Sequence, residues 1–274
     1  MASSRRGKRS AVRSRPRTPL AVVVLGVIAG AFVALPVVGI IARAAWDRAP
    51  NVLAASGTLT ALRLSVVVAT AATLLDLVLG VPLALVFART SFPGKALVRG
   101  VVLLPLVLPP VVAGVGLLAA LGRRGLLGGV LDAAGVQLPF TTTAAVIATA
   151  FVSFPLVVLA TEAGVRSLDP RLEDAARTMG SSPWYVLRRV TLPLVRVQIV
   201  AGLVLAWARA LGEFGATLMF AGNLAGRTQT LPLAVFEVSQ TDPEGALLVA
   251  LLLVIISLAV IVALRGRLLE GPAG

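Results

Sequence analysis

The chain of 274 residues contains no cysteine and no histidine. Together these absences remove disulfides, thiol nucleophiles, zinc sites built on Cys or His, and imidazole bases. Charge is scarce too: 14% of residues are charged against 58% apolar, and the mean hydropathy is +0.96. So little polar surface cannot coat a water-soluble globule, and the composition is that of an integral membrane protein. A phosphate-binding G-x-x-x-x-G-K-[ST] loop is missing as well. Lys8 and Lys95 each follow a glycine, but Ala2 and Arg89 stand where its first glycine belongs. This removes the usual route to ATP hydrolysis within the chain. No lysine lies inside an apolar segment, which argues against a Ser/Lys intramembrane hydrolase; no catalytic residue and no metal ligand is expected.

What the chain does have is long uncharged runs. Residues 18–42, 100–122, 133–161 and 245–264 each reach the roughly 20 residues needed to cross the hydrocarbon of a bilayer. Two further candidates carry ionisable groups: 64–87, interrupted by Asp76, and 197–220, interrupted by Arg209 and Glu213. No segment alternates with period two, so the spans are read as helices and not barrel strands. The expectation is an all-α membrane protein of six transmembrane helices, with a disordered basic tail at 1–17 and a membrane domain at 18–270. The first apolar run is too long for the core of a secretory signal and is read as an uncleaved helix.

The net charge of +13 is explained by where the cations fall. With both termini in the cytoplasm, the basic tail, Arg89, Lys95, Arg99, Arg166, Arg171, Arg177, Arg188, Arg189, Arg196, Arg265 and Arg267 lie inside. Only Arg43, Arg48, Arg63, Arg123, Arg124 and Arg227 lie outside. That asymmetry follows the positive-inside rule and leaves no reason to invoke nucleic acid. The tail itself suits contact with anionic headgroups.

One polar decapeptide, "RLEDAARTMG" at 171–180, interrupts the apolar chain on the cytoplasmic side. Asp169-Pro170 supplies an N-cap and a first-turn proline. Leu172, Ala175, Ala176 and Met179 follow helical spacing as a small apolar stripe, while Glu173, Asp174 and the arginines face elsewhere. Gly180 ends the helix, and Ser182-Pro183 begins another before "TLP" at 191–193. Periodicity alone leaves two readings equal: a helix lying on headgroups, or one docked in a partner's groove.

Asp174-Ala175-Ala176, Gly180, Val190 and Leu192-Pro193 stand at the spacing of the E-A-A, G, I-x-L-P signature, which the chain resembles, of permease subunits of bacterial ABC importers; Asp replaces Glu and Val replaces Ile. "ARALGEFGATLMFAGN" at 208–223, "GRTQTLPLAVFEV" at 226–238 and "LLPLVLPPVVAGVGLL" at 103–118 are similar to molybdate permeases. Sulfate and thiosulfate permeases share the A-R-A-[LI]-G-E pattern, but the T-L-M-F and G-R-T-Q-T-L-P-L wording is closer to molybdate. The resemblance covers about residues 60–265. It implies a type I importer permease fold in the bacterial cytoplasmic membrane, working as a homodimer. It also implies that 171–180 is a coupling helix seated on a separate ATPase subunit, which binds ATP and Mg²⁺, and that an extracytoplasmic protein captures the oxyanion. The chain itself is then a permease and not an enzyme, and binds no cofactor. Tungstate and sulfate stay open as alternative ions, and a non-transporting scaffold or sensor stays open as another class.

In the fifth segment Glu213 would repel a dianion if it lined a path unpaired, and intramembrane charge is costly. Arg209, four residues earlier, is its simplest partner; Asp76 also needs company. Gly212 and Gly215 permit a close helix crossing. Arg209, Gly212, Glu213, Gly215 and Thr217 are therefore expected to form the path or its gate. Asn223, Arg227, Thr228, Gln229 and Thr230 make a polar external loop with donors suited to a tetrahedral oxyanion, or simply a solvated loop touching a partner.

Overall fold

The computed structural model describes residues 19–269; the basic tail expected at 1–17 lies outside the described residues. The chain divides into one unit that ends at Ala42 and a second that begins at Arg43. The first is dominated by α1 (Leu20–Arg43), apolar on every side and at ~1.5 Å per residue long enough to cross a bilayer.

Within the second unit, α2 (Ser56–Arg89) starts eight residues before the expected segment at 64–87. After the turn at Gly94, whose φ is +80°, come α3 (Lys95–Leu103), a 3₁₀ turn and α4 (Pro110–Leu121). The span expected at 100–122 corresponds to a pair of helical halves, Lys95–Leu106 and Pro110–Leu121, bent by 119°. Pro105, Pro109 and Pro110 explain the break. They lack the N–H groups a continuous helix needs, and Pro109 sits in an extended conformation with ψ 132°. The fourth segment is displaced as well. α5 runs over Thr142–Arg166 instead of 133–161, because Thr141 accepts the Ala144 N–H at 3.1 Å and caps the helix there.

The polar decapeptide forms α6 (Pro170–Thr178), followed by α7 (Pro183–Val186) and a π turn at Leu187–Thr191. A 66° bend then leads into α8 (Arg196–Leu211). The expected continuous span at 197–220 is also corrected, since α8 stops at Leu211 and α9 (Gly215–Ala221) starts anew. α10 (Leu231–Ser239) and α11 (Pro243–Leu269) complete the unit. Among the described residues four helices can cross a membrane singly, and counting each bent pair as one span gives six. No strand occurs among the described residues.

Small side chains hold this bundle together. Around the α2, α4, α5 and α9 contact, Ala113, Ala144, Ala145, Ala148, Ala216 and Ala221 are buried with Val68 and Phe220. Gly202 of α8 abuts α5 so closely that an added Cβ would lie 2.8 Å from Ala160 Cβ. In lipid, where tails are as apolar as leucine, helices gain little from hydrophobicity alone. Close backbone approach and buried hydrogen bonds supply the cohesion.

Candidate functional site

α6 is built as its sequence dictates. The Asp169 carboxylate accepts the Arg171 N–H at 3.0 Å, and Pro170 needs no partner for an N–H it lacks. At the other end Gly180 takes φ +82°, and the Ser181 N–H returns to the Ala176 carbonyl at 3.1 Å, closing the helix as a left-handed glycine cap does. The four stripe residues do not share one environment. Leu172 is 49% exposed and Met179 79%, with Ala175 also exposed, whereas Ala176 is 6% exposed and turned into the protein. The face free for a partner is thus Leu172, Ala175 and Met179, with exposed Asp174 beside it; Ala176 seats the helix on its own chain.

Glu173 does something the spacing did not reveal. Its carboxylate accepts the Thr191 hydroxyl at 2.6 Å, ion-pairs with Arg89 at the end of α2, and has Arg177 at 3.6 Å. Arg89 also donates to the Thr191 oxygen at 2.9 Å. The three groups tie α6 to the C-terminal end of α2 and to the π turn that leads towards α8. Thr191 itself is completely buried. Neighbouring Asp174 is exposed and has Arg177 at 3.4 Å. The two adjacent acids therefore differ in role: one is internal, the other available.

A second cluster lies nearby. Glu162, near the end of α5, is almost fully buried and meets Arg166 at 2.7 Å and Arg99 of α3 at 3.2 Å. Sequence reading passed over this cluster because it ended the fourth segment at 161. The i, i+4 pair Glu162 and Arg166 was the available signal.

In the fifth segment the expected pair is present: Arg209 lies 2.9 Å from Glu213, whose side chain is 1% exposed. The other carboxylate oxygen of Glu213 accepts the Ala216 N–H at 2.8 Å. Glu213 thus sits in the gap between α8 and α9, tied to the last turn of one and to an open N–H of the other. An anion at a helix N-terminus is electrostatically favoured, which lowers the cost of burying it. Of the two glycines, Gly215 packs against α4, where an added Cβ would lie 3.0 Å from both Pro110 Cβ and Val111 N. Gly212 is exposed, and a Cβ added there would meet only Arg209 O, at 3.9 Å. The tightest contact of this crossing comes from Gly114 of α4, which the sequence did not single out: a Cβ there would lie 2.7 Å from Ala216 O. Thr217 is buried with its hydroxyl 3.5 Å from that of Thr149. Asp76 is buried and accepts the Ser153 hydroxyl at 2.6 Å, which answers its need for company with a hydroxyl and not with Arg209.

The segment 223–230 is part exposed and part buried, with Leu224, Ala225, Gly226 and Arg227 on the surface. Thr228, Gln229 and Thr230 are buried. Asn223 and Gln229 both donate to the same oxygen of Glu237 in α10, at 2.8 and 2.5 Å. The Thr228 hydroxyl donates to Gly222 O at 3.1 Å and accepts the Leu224 N–H at 2.9 Å. The Asn223, Thr228 and Gln229 donors are used within the fold, the Thr230 hydroxyl is buried with no hydrogen-bond partner among the described residues, and of the five only Arg227 is exposed.

Comparison with known proteins places this geometry. The family described as "Binding-protein-dependent transport system inner membrane component" matches residues 80–270. The molybdenum transport system permease protein of Mycobacterium tuberculosis is 47% identical over 246 residues, covering 89% of this chain and 93% of its own. That of Escherichia coli is 45% identical, covering 73% of this chain and 88% of its own. A sulfate transport system permease protein of Synechocystis is 38% identical over 73% of this chain and 74% of its own. Among solved structures, a bacterial ABC transporter involved in the import of alginate superposes with TM-score 0.73 at 15% identity, covering 92% of this chain and 96% of that one.

Proposed function

From a chain that belongs to the family of binding-protein-dependent transport system inner membrane components, we propose the permease subunit of an ATP-driven importer that carries molybdate across the bacterial cytoplasmic membrane. The observation that carries the ion assignment is the 47% identity, over nearly the full length of both chains, to a molybdenum transport permease. In this reading two copies of the chain form the pathway, both termini lie in the cytoplasm, and an extracytoplasmic protein delivers the oxyanion. ATP and Mg²⁺ act on a separate ATPase subunit.

The exposed Leu172, Ala175 and Met179 face of α6, with Asp174 beside it, is the surface offered to that ATPase subunit. Gly180 fixes its end. Glu173 transmits the push: through Arg89 and Thr191 any displacement of α6 is shared with α2 and with the entry to the fifth segment. Alternating access then follows as near-rigid rocking of packed helices. The α8–α9 break, held by Arg209 and Glu213 and pressed on α4 through Gly215, is the gate element, with Thr217 beside it. The pairing of Glu213 with Arg209 and with the α9 N–H keeps its negative charge from repelling a dianion. Arg227 offers the external cation. Weak contacts in series suit a path that must also release its ion, so selectivity belongs to the delivering protein.

The test is ATP hydrolysis by the complete complex in nanodiscs. Binding protein loaded with molybdate should stimulate hydrolysis, and sulfate in its place should not. Equal stimulation by sulfate would move the assignment to a sulfate-type permease.

A further inference from the structure

Segment 182–193, between the coupling helix and the fifth span, carries a feature that transport does not use. Ser182, Trp184, Tyr185, Arg188, Arg189 and Pro193 line a recess of about 590 Å³. Val186 and Thr191 are buried, so the π turn between them leaves Trp184, Tyr185 and the two arginines on the outer side. Trp184 is 64% exposed and Tyr185 54%. The Arg188 guanidinium lies 5.7 Å from the centroid of the Trp184 ring.

The charge here is unbalanced. Arg89, Arg99, Arg166, Arg177 and Arg209 each have a carboxylate within ion-pairing distance. Among the described residues Arg188 and Arg189 have none. Two adjacent guanidiniums present a fork of donors that suits a phosphate. Beyond the arginines the lining pairs the polar Ser182 with the amphipathic Trp184 and Tyr185 and the apolar Pro193, and Leu194 next to it is 45% exposed. A soluble anion would satisfy the arginines and leave those surfaces in water. An amphiphile satisfies both. Trp and Tyr beside Arg, ahead of a membrane span, also form the composition found at the headgroup layer.

We propose that this recess binds an anionic phospholipid of the adjoining leaflet, its phosphodiester on Arg188 and Arg189 and its glycerol and upper acyl region against Trp184, Tyr185 and Pro193. Such a lipid pins the segment between the coupling helix and the 66° bend.

The test uses the full chain assembled with its ATPase subunit in nanodiscs of phosphatidylglycerol and phosphatidylcholine, released into native mass spectrometry. Phosphatidylglycerol should be retained on the wild-type complex, and the Arg188→Gln/Arg189→Gln variant should retain at least one fewer per permease chain. Arg124→Gln, exposed elsewhere, should retain the wild-type number, and Arg188→Lys/Arg189→Lys should restore part of the loss. Equal retention in wild type and the Gln variant would overturn the proposal. So would displacement of the lipid by millimolar inorganic phosphate, which would mark a soluble-anion site. A photocrosslinker at position 184 that labels the ATPase subunit instead of lipid would overturn it as well, and would assign the recess to that subunit.

Discussion

The Glu173 carboxylate accepts the Thr191 hydroxyl at 2.6 Å across 18 residues of chain, joining the middle of α6 to the entry of the fifth segment. With Arg89 on the same carboxylate, the contact makes α6 continuous with two membrane helices. Glu173→Gln keeps an acceptor for Thr191 but loses the ion pair. Uptake by the reconstituted complex should fall about tenfold while ATP hydrolysis changes less than about twofold, a loss in the range of typical site-to-site coupling energies. Equal falls in both would show that Glu173 serves assembly and not transmission.

Docking should respond to the exposed face and not to the buried one. Met179→Asp and Leu172→Asp should each weaken co-purification of the ATPase subunit and leave the thermal midpoint of the permease within a few degrees of wild type. Ala176→Trp should lower that midpoint clearly, because Ala176 is 6% exposed and a large ring there overpacks the protein by about 1–3 kcal/mol. If Met179→Asp leaves the complex intact, the docking surface lies elsewhere.

Two glycines on one helix give an internal control for the α4–α9 crossing. A Cβ on Gly114 would lie 2.7 Å from Ala216 O and from Met219 Cβ, while Gly116 has nothing within 4 Å. Gly114→Ala should destabilise the protein by about 1–3 kcal/mol, whereas Gly116→Ala should be neutral or slightly stabilising. Thermal unfolding of the two variants in the same detergent decides it; similar midpoints would mean the crossing relaxes freely.

Glu213 is held twice, and the two contacts can be separated. Glu213→Gln retains an acceptor for the Ala216 N–H and loses the Arg209 pair; Glu213→Ala loses both. Uptake should fall in that order. The charge term is expected to be about 1–3 kcal/mol, between the values for exposed and buried pairs, because Arg209 is 37% exposed. Wild-type uptake in Glu213→Ala would remove the α8–α9 break from the gate.

Much of this was legible in the residues. Apolar runs located the spans, Asp169-Pro170 and Gly180 bounded α6, and the i, i+4 spacing paired Arg209 with Glu213. The misplaced spans have local causes. A hydropathy average runs across short breaks, so the Pro105, Pro109 and Pro110 bend read as one crossing, and the Gly212–Phe214 gap passed as helix. The start of α5 is set by the Thr141 cap within a run that is apolar on both sides. What the sequence could not supply was long-range pairing. Glu173 with Arg89 spans 84 residues, and Asp76 with Ser153 spans 77; no periodicity encodes such contacts. The partner of Asn223 and Gln229 was hidden for a related reason: Glu237, which takes their amide donors, lies on α10.

Radiolabelled molybdate uptake into vesicles containing this chain, its ATPase subunit and the binding protein tests the central claim most directly. The account predicts accumulation that requires ATP, persists under excess sulfate and is lost in Met179→Asp. Uptake competed equally by sulfate, or none from a complex shown to be assembled, would contradict it.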